Sequence, residues 1–123
     1  MDAMDITLYD SSGRPTAYIE DGMHIYFFTG EPVGHILGRD IYAFNGKQLG
    51  RIENGWVRDH SGACVFFTSD ATGNAPVKPV QHSRPLKWEK RNKPVKGPIV
   101  PRPVKPSDSP SWSSLSAEEF FSQ

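Results

Sequence analysis

Leu8-Tyr-Asp-Ser-Ser-Gly-Arg-Pro15, Ile25-Tyr-Phe-Phe-Thr-Gly-Glu-Pro32 and Ile41-Tyr-Ala-Phe-Asn-Gly-Lys-Gln48 are three versions of one short phrase. Aligned on its glycine, the phrase recurs at Gly13, Gly30, Gly46 and Gly62, spaced by 17, 16 and 16 residues. Five residues before each glycine stands an aliphatic residue, Leu8, Ile25, Ile41 or Val57, and four before stand Tyr9, Tyr26, Tyr42 and then Arg58. A small residue follows at Ala17, Gly34 and Gly50, and an isoleucine at Ile19, Ile36 and Ile52. The fourth copy departs at these two columns, with Phe66 and Thr68.

Each copy reads as strand, tight turn, strand. Ser12-Gly13, Thr29-Gly30, Asn45-Gly46 and Ser61-Gly62 place glycine where a turn needs a positive φ, and the Ile, Val, Tyr, Phe and Thr on either side favour a pleated surface. Asp21-Gly22, Gly38-Arg39 and Asn54-Gly55 supply turns between copies, which makes about eight short strands in a meander. One hairpin is marginal alone, but four in tandem can share a core. The reading is therefore all-β: four tandem two-stranded hairpins closed with pseudo-fourfold symmetry, since closure removes exposed strand edges. A single open or barrel-like sheet is the alternative, because periodicity does not set curvature. The small residues Ala17, Gly34 and Gly50 suggest close backbone approach near an axis, with the aliphatic columns filling the centre.

The Tyr-x-x-x-Gly-x-x-x-Gly/Ala-x-Ile units at residues 9–19, 26–36 and 42–52 resemble the bacterial four-fold β-flower proteins. Single units are also similar to the Tyr-Asp repeats of large bacterial surface and toxin shells, although Tyr9-Asp10 is the only literal Tyr-Asp pair. The β-flower resemblance covers about residues 6–70 and leaves open an extension into the Pro-rich tail. It implies a compact head with fourfold pseudosymmetry and brings no catalytic residue, cofactor or known activity with it.

The chain divides into a hairpin domain (1–72), a Pro-rich basic arm (73–110) and a short helical docking segment (111–123). Nine of the 11 prolines fall in the arm, which is therefore extended or polyproline-like. In the last segment Ser116 and Glu119 form a capping box, with Leu115 and Phe120 placed as a hydrophobic staple. So short a helix needs a surface to dock on. Trp88, Trp112, Leu115, Phe120 and Phe121 are accordingly the interaction candidates, and the partner is this chain itself, in cis or exchanged in a homo-oligomer, or another protein.

The net charge of zero hides an asymmetry: residues 1–72 sum to −5 and residues 73–110 to +7. An acidic head attracts its own basic arm and opposes nucleic acid, which leaves phosphate contact through residues 78–105 as a weaker alternative. Residues 1–9 contain Asp2 and Asp5 and no apolar run of leader length, and no stretch of 18 apolar residues occurs, so a leader and a membrane span are not expected and the cytoplasm is the default compartment. The lone Cys64 excludes an intramolecular disulfide. His24, His35, His60 and His82 form no short ligand pair, and no Ser/His/Asp set or phosphate-binding glycine loop is present, so no catalytic residue, cofactor or metal is expected. A small enzyme or metal-binding protein built on Asp59, His60 and Cys64 is the rival class. Tyr18, His35 and Arg51, five residues after successive turn glycines, form a polar-aromatic column that could line a shallow surface.

Overall fold

The computed structural model describes residues 5–73, 75–101 and 103–123, so the start of the stretch weighed above for a leader lies outside them. The strands are β1 (Ile6–Tyr9), β2 (Pro15–Ile19), β3 (His24–Phe27), β4 (Pro32–Leu37), β5 (Asp40–Tyr42), β6 (Gln48–Glu53), β7 (Trp56–Arg58) and β8 (Cys64–Phe67). Each pairs antiparallel with its sequence neighbours, and β1 meets β8 through Tyr9 and Phe67 to close a barrel. The pseudo-fourfold all-β architecture is thus present as expected, in its closed form.

The four hairpins agree in detail. Each shifts register at the same step, between Leu8 and Tyr9, Ile25 and Tyr26, Ile41 and Tyr42, and Val57 and Arg58. Each turn closes with the same pair of backbone hydrogen bonds, for example Ala43 N–H to Lys47 O and Gly46 N–H to Ala43 O, both 2.9 Å. The fourth copy keeps this geometry despite its divergent side chains. A bulge sharpens strand bending, and four at equivalent places help eight short strands curl into a ring.

Inside, Leu8, Ala17, Ile25, Ile41, Val57 and Phe66 pack with Phe120 and Phe121 of helix α1 (Ala117–Phe121). The helix begins with the expected capping box: Ser116 accepts from the Glu119 amide at 3.1 Å, and Glu119 accepts from the Ser116 amide at 2.8 Å. Leu115 packs against the same core. The two phenylalanines insert at the hairpin-turn end. Phe121 stacks on Phe66 with ring centres 5.7 Å apart, and Phe120 meets Phe66 edge-on at 5.8 Å. This explains the small column. A Cβ on Gly50 would lie 2.9 Å from the Phe120 ring and against the Arg58 carbonyl, so glycine there admits both the neighbouring strand and the plug.

Candidate interaction surface

Side chains alternate across the barrel wall. Between inward Ala17 and Ile19, Tyr18 faces out, and its cross-strand partner is Tyr26. The three other junctions carry His35 with Tyr42, Arg51 with Arg58, and Phe67 with Tyr9. Tyr18, His35 and Arg51 therefore occupy successive positions round the circumference and do not converge on one site.

The arm covers this outer face, and it does so periodically. Pro76-Val-Lys78, Pro85-Leu-Lys87, Pro94-Val-Lys96 and Pro103-Val-Lys105 repeat every nine residues. At the same period the arm lays the carbonyls of Val80, Glu89, Pro98 and Ser107 over Gly13, Gly30, Gly46 and Gly62, where a Cβ would overlap them. Two residues later His82, Arg91, Val100 and Ser109 donate their amides to the carbonyls of those glycines at 2.9, 2.9, 3.0 and 3.1 Å. Trp88 and Gly97 add bonds to Phe28 O and Phe44 O at 2.9 and 2.6 Å. The nine-residue period is plain in the sequence, but proline richness alone does not reveal that it matches the four turns.

Between turns the arm runs to the opposite end of the barrel and returns. Arg84 reaches Asp5 and Thr7, both at 3.1 Å, and Lys87 reaches Asp5 at 3.2 Å and Glu20 at 2.6 Å. Lys78 donates to the carbonyls of Ser69 and Ala71, and Lys105 lies 3.3 Å from Glu53. The acidic head and basic arm thus pair locally. Lys87 also sits 4.5 Å above the centre of the Tyr18 ring. Hydrogen bonds from Lys87 and Lys90 hold the Glu20 carboxyl below its usual range.

Each junction is covered differently. The Tyr18 and Tyr26 rings lie under Lys87 and Lys90. Buried His35 stacks on Tyr42 and leaves its Nε2 without a partner. Burial pushes its pKa down, and the nearby Lys96 and His24 charges add to this. Arg58 donates to Ser109 O at 2.8 Å and lies 3.6 Å from Asp108. Trp112 packs on Trp56 and Phe67 where β1 and β8 share their one register pair, and Ser111 O and the Ser113 amide bond the Cys64 backbone. There the segment following the arm completes the closure.

The residues weighed for chemistry are engaged structurally. Burial alone would raise the Asp59 pKa, but hydrogen bonds from Ser113, from the Ser61 hydroxyl and amide, and from the Ala63 amide hold it below the usual range. His60 Nε2 lies 2.7 Å from Gln48 Oε1 and 2.9 Å from Gln48 O. Cys64 is fully buried and burial raises its thiol pKa, which disfavours the nucleophilic thiolate. Among the described residues, no group of three or more His, Cys, Asp or Glu could hold a metal. A recess of about 790 Å³ at the end opposite the hairpin turns contains Glu53, whose carboxylate meets Arg39 at 2.9 Å, Arg51 at 3.1 Å and Lys105 at 3.3 Å.

Four bulged hairpins closed in sequence order, with an arm and plug belonging to the same unit, set what this chain can be compared with. A family model described as "4-fold beta flower protein" matches residues 6–121. This chain belongs to the 4-fold beta flower family. The match runs through the arm and into α1, so in this β-flower protein the arm is part of the family unit. No curated protein and no solved structure matches. No helix among the described residues is long and apolar enough to cross a membrane.

Of the interaction candidates, Phe120 and Phe121 are buried in the β-flower core, Leu115 packs at its edge, and Trp112 covers the β1–β8 junction. Trp88 is different: it is 73 % exposed. Sequence reasoning missed the aliphatic residue of each arm repeat. Val77, Leu86, Val95 and Val104 are 90, 88, 94 and 93 % exposed, while the adjacent lysine turns inward in three of the four repeats.

Proposed function

We propose that this chain is a non-enzymatic protein-interaction module, a β-flower that uses its arm and terminal helix to complete its own barrel and offers the arm's outer edge to another protein. The observation that supports this most directly is the column Val77, Leu86, Val95 and Val104. An aliphatic group recurs four times at a position where the fold leaves it about nine-tenths exposed. Single exposed aliphatics are ordinary, but four at the same register of a backbone pinned to a rigid barrel offer repeated, pre-ordered contact points round its circumference. The dispersal of Tyr18, His35 and Arg51 under the arm and the structural engagement of Asp59, His60 and Cys64 favour this over the enzyme class. Docking of the arm in cis, rather than exchanged between copies, belongs to the same reading.

The test is a photo-crosslinking amino acid placed in turn at positions 77, 86, 95 and 104 of the full chain in its native cells. Covalent adducts with one discrete protein, absent from a probe at Ser122 near the plug, are expected. Absence of adducts from all four positions overturns the reading. Adducts with a second copy of this chain would make the module a self-assembling one.

A further inference from the structure

The second arm repeat departs from the others at one position. After Pro-aliphatic-Lys, the first, third and fourth repeats carry Pro79, Gly97 and Pro106, whereas the second carries Trp88. Its amide is held by Phe28 O and that of Arg91 by Gly30 O, so the residues between are pinned to the second hairpin turn. The ring nevertheless projects into solvent, 73 % exposed, while Trp56 is buried and Trp112 half-buried. The barrel covers only about a quarter of it. Leu86, two residues away, is 88 % exposed.

The charges of residues 86–96 fall into two groups. Lys87 and Lys90 are paired with Glu20, and Lys105 with Glu53. Among the described residues, no carboxylate lies within ion-pair distance of Arg91, Lys93 or Lys96, and the Lys96 ammonium reaches only the Met23 sulfur at 3.7 Å.

We propose that Leu86, Trp88, Arg91, Lys93 and Lys96 form the docking surface for an acidic segment of a partner protein that carries an aromatic or aliphatic side chain. This rests on the protein-interaction reading above and names the class of partner. Trp and Arg dominate the energetics of protein interfaces, and a backbone already held by two hydrogen bonds loses little freedom on binding. Arg91, Lys93 and Lys96 outnumber the one carboxylate of this stretch, exposed Glu89, and the remaining positive excess selects acidic residues flanking the apolar contact. A single strand of nucleic acid would also meet cations and a stacking ring. Leu86 and Val95, 88 and 94 % exposed, would then face phosphate and sugar, whereas a peptide's apolar side chain gives them a matching contact.

Short random peptides displayed on phage are selected against the full chain, and the enriched peptides are measured by fluorescence anisotropy. Peptides rich in Asp and Glu around an aromatic or aliphatic residue are expected. Trp88→Ala should weaken their binding about tenfold or more, as should the pair Arg91→Glu and Lys93→Glu, and added salt should weaken it further. Trp88 is exposed, so Trp88→Ala should melt like the parent and isolate binding from folding. Failure to enrich acidic peptides, or equal binding by Trp88→Ala, overturns the proposal. A labelled oligothymidylate that binds more tightly than the peptides and is lost in Trp88→Ala overturns it in favour of nucleic acid. Crosslinks at positions 77 and 104 without any Trp88 dependence would sink this inference and leave the interaction reading standing. Loss of crosslinks at all four positions would sink both.

Discussion

Phe120→Ala tests whether the chain's own C-terminus plugs the barrel. The side chain is fully buried and makes ring contacts with Phe66 at 5.8 Å and Phe121 at 5.1 Å. Removing a buried phenylalanine ring costs about 3–5 kcal/mol, and the upper half of that range fits here. The space cannot collapse readily, because the facing wall is Gly50, with no side chain to move in, and a ring of hydrogen-bonded strands. The helix has five residues and little stability of its own, so weakening its anchor also loosens Phe121. Domains of this size unfold with about 5–15 kcal/mol, so the variant should lose about a quarter or more of its stability. With a urea m-value of roughly 1.5 kcal/mol/M, the midpoint should fall by about 3 M. The assay is equilibrium urea unfolding followed by intrinsic fluorescence, with exposed Ser114→Ala as control, expected within about 0.5 kcal/mol of the parent. A Phe120→Ala midpoint indistinguishable from the control would refute the plug.

Gly46→Ala should cost about 2–4 kcal/mol, because φ at this position is +92° and the new methyl would displace the Pro98 carbonyl, disrupting the amide bonds from Gly97 and Val100. Hydrogen exchange should locate the loss of protection at those two amides, and unchanged protection there would contradict the arm's seat on the turn. Ser113→Ala removes a hydroxyl donor from the buried Asp59 carboxylate and should cost about 1.5–3 kcal/mol in the same urea assay, whereas an exposed, unseated Ser113 would cost almost nothing. Stability should also decline with acid in two stages. Burial, followed by the Lys96 and His24 charges, lowers the His35 pKa below 6.5, so the unfolded chain takes up that proton first and stability falls as pH drops below 6.5. Asp59 and Asp10 titrate below 3.8 when folded: burial opposes this, but Ser113 and Ser61 at Asp59, and Ser12 and Arg14 at Asp10, outweigh it, so their stabilisation is present above that pH and lost below it. His35→Phe keeps the stack on Tyr42 and should flatten the first stage while leaving the second. Thermal melts between neutral pH and about pH 3 would read both, and an unchanged first stage would remove His35 as its source.

The sequence by itself determined what depends on neighbours a few residues apart. The turn glycines, the alternation across each hairpin and the Ser116–Glu119 capping box are local devices, so each is legible at its own position and recurs in the structure where it was expected. The closed form of the barrel was a matter of tertiary structure, because the Tyr9–Phe67 pairing joins strands nearly 60 residues apart and turns on accumulated twist and bulging. The same holds for the arm. Its nine-residue period is visible as Pro-Val-Lys, but only the folded barrel shows four turn carbonyls and a band of outward aromatics spaced to receive it. The column of Tyr18, His35 and Arg51 carries the same lesson, since equal spacing in sequence placed those residues round a circumference and pointed them apart. Which aromatics complete the core and which is left outside is likewise tertiary. Phe120 and Trp88 are both apolar rings in the chain's last third, and the barrel had an opening of the right size for one of them.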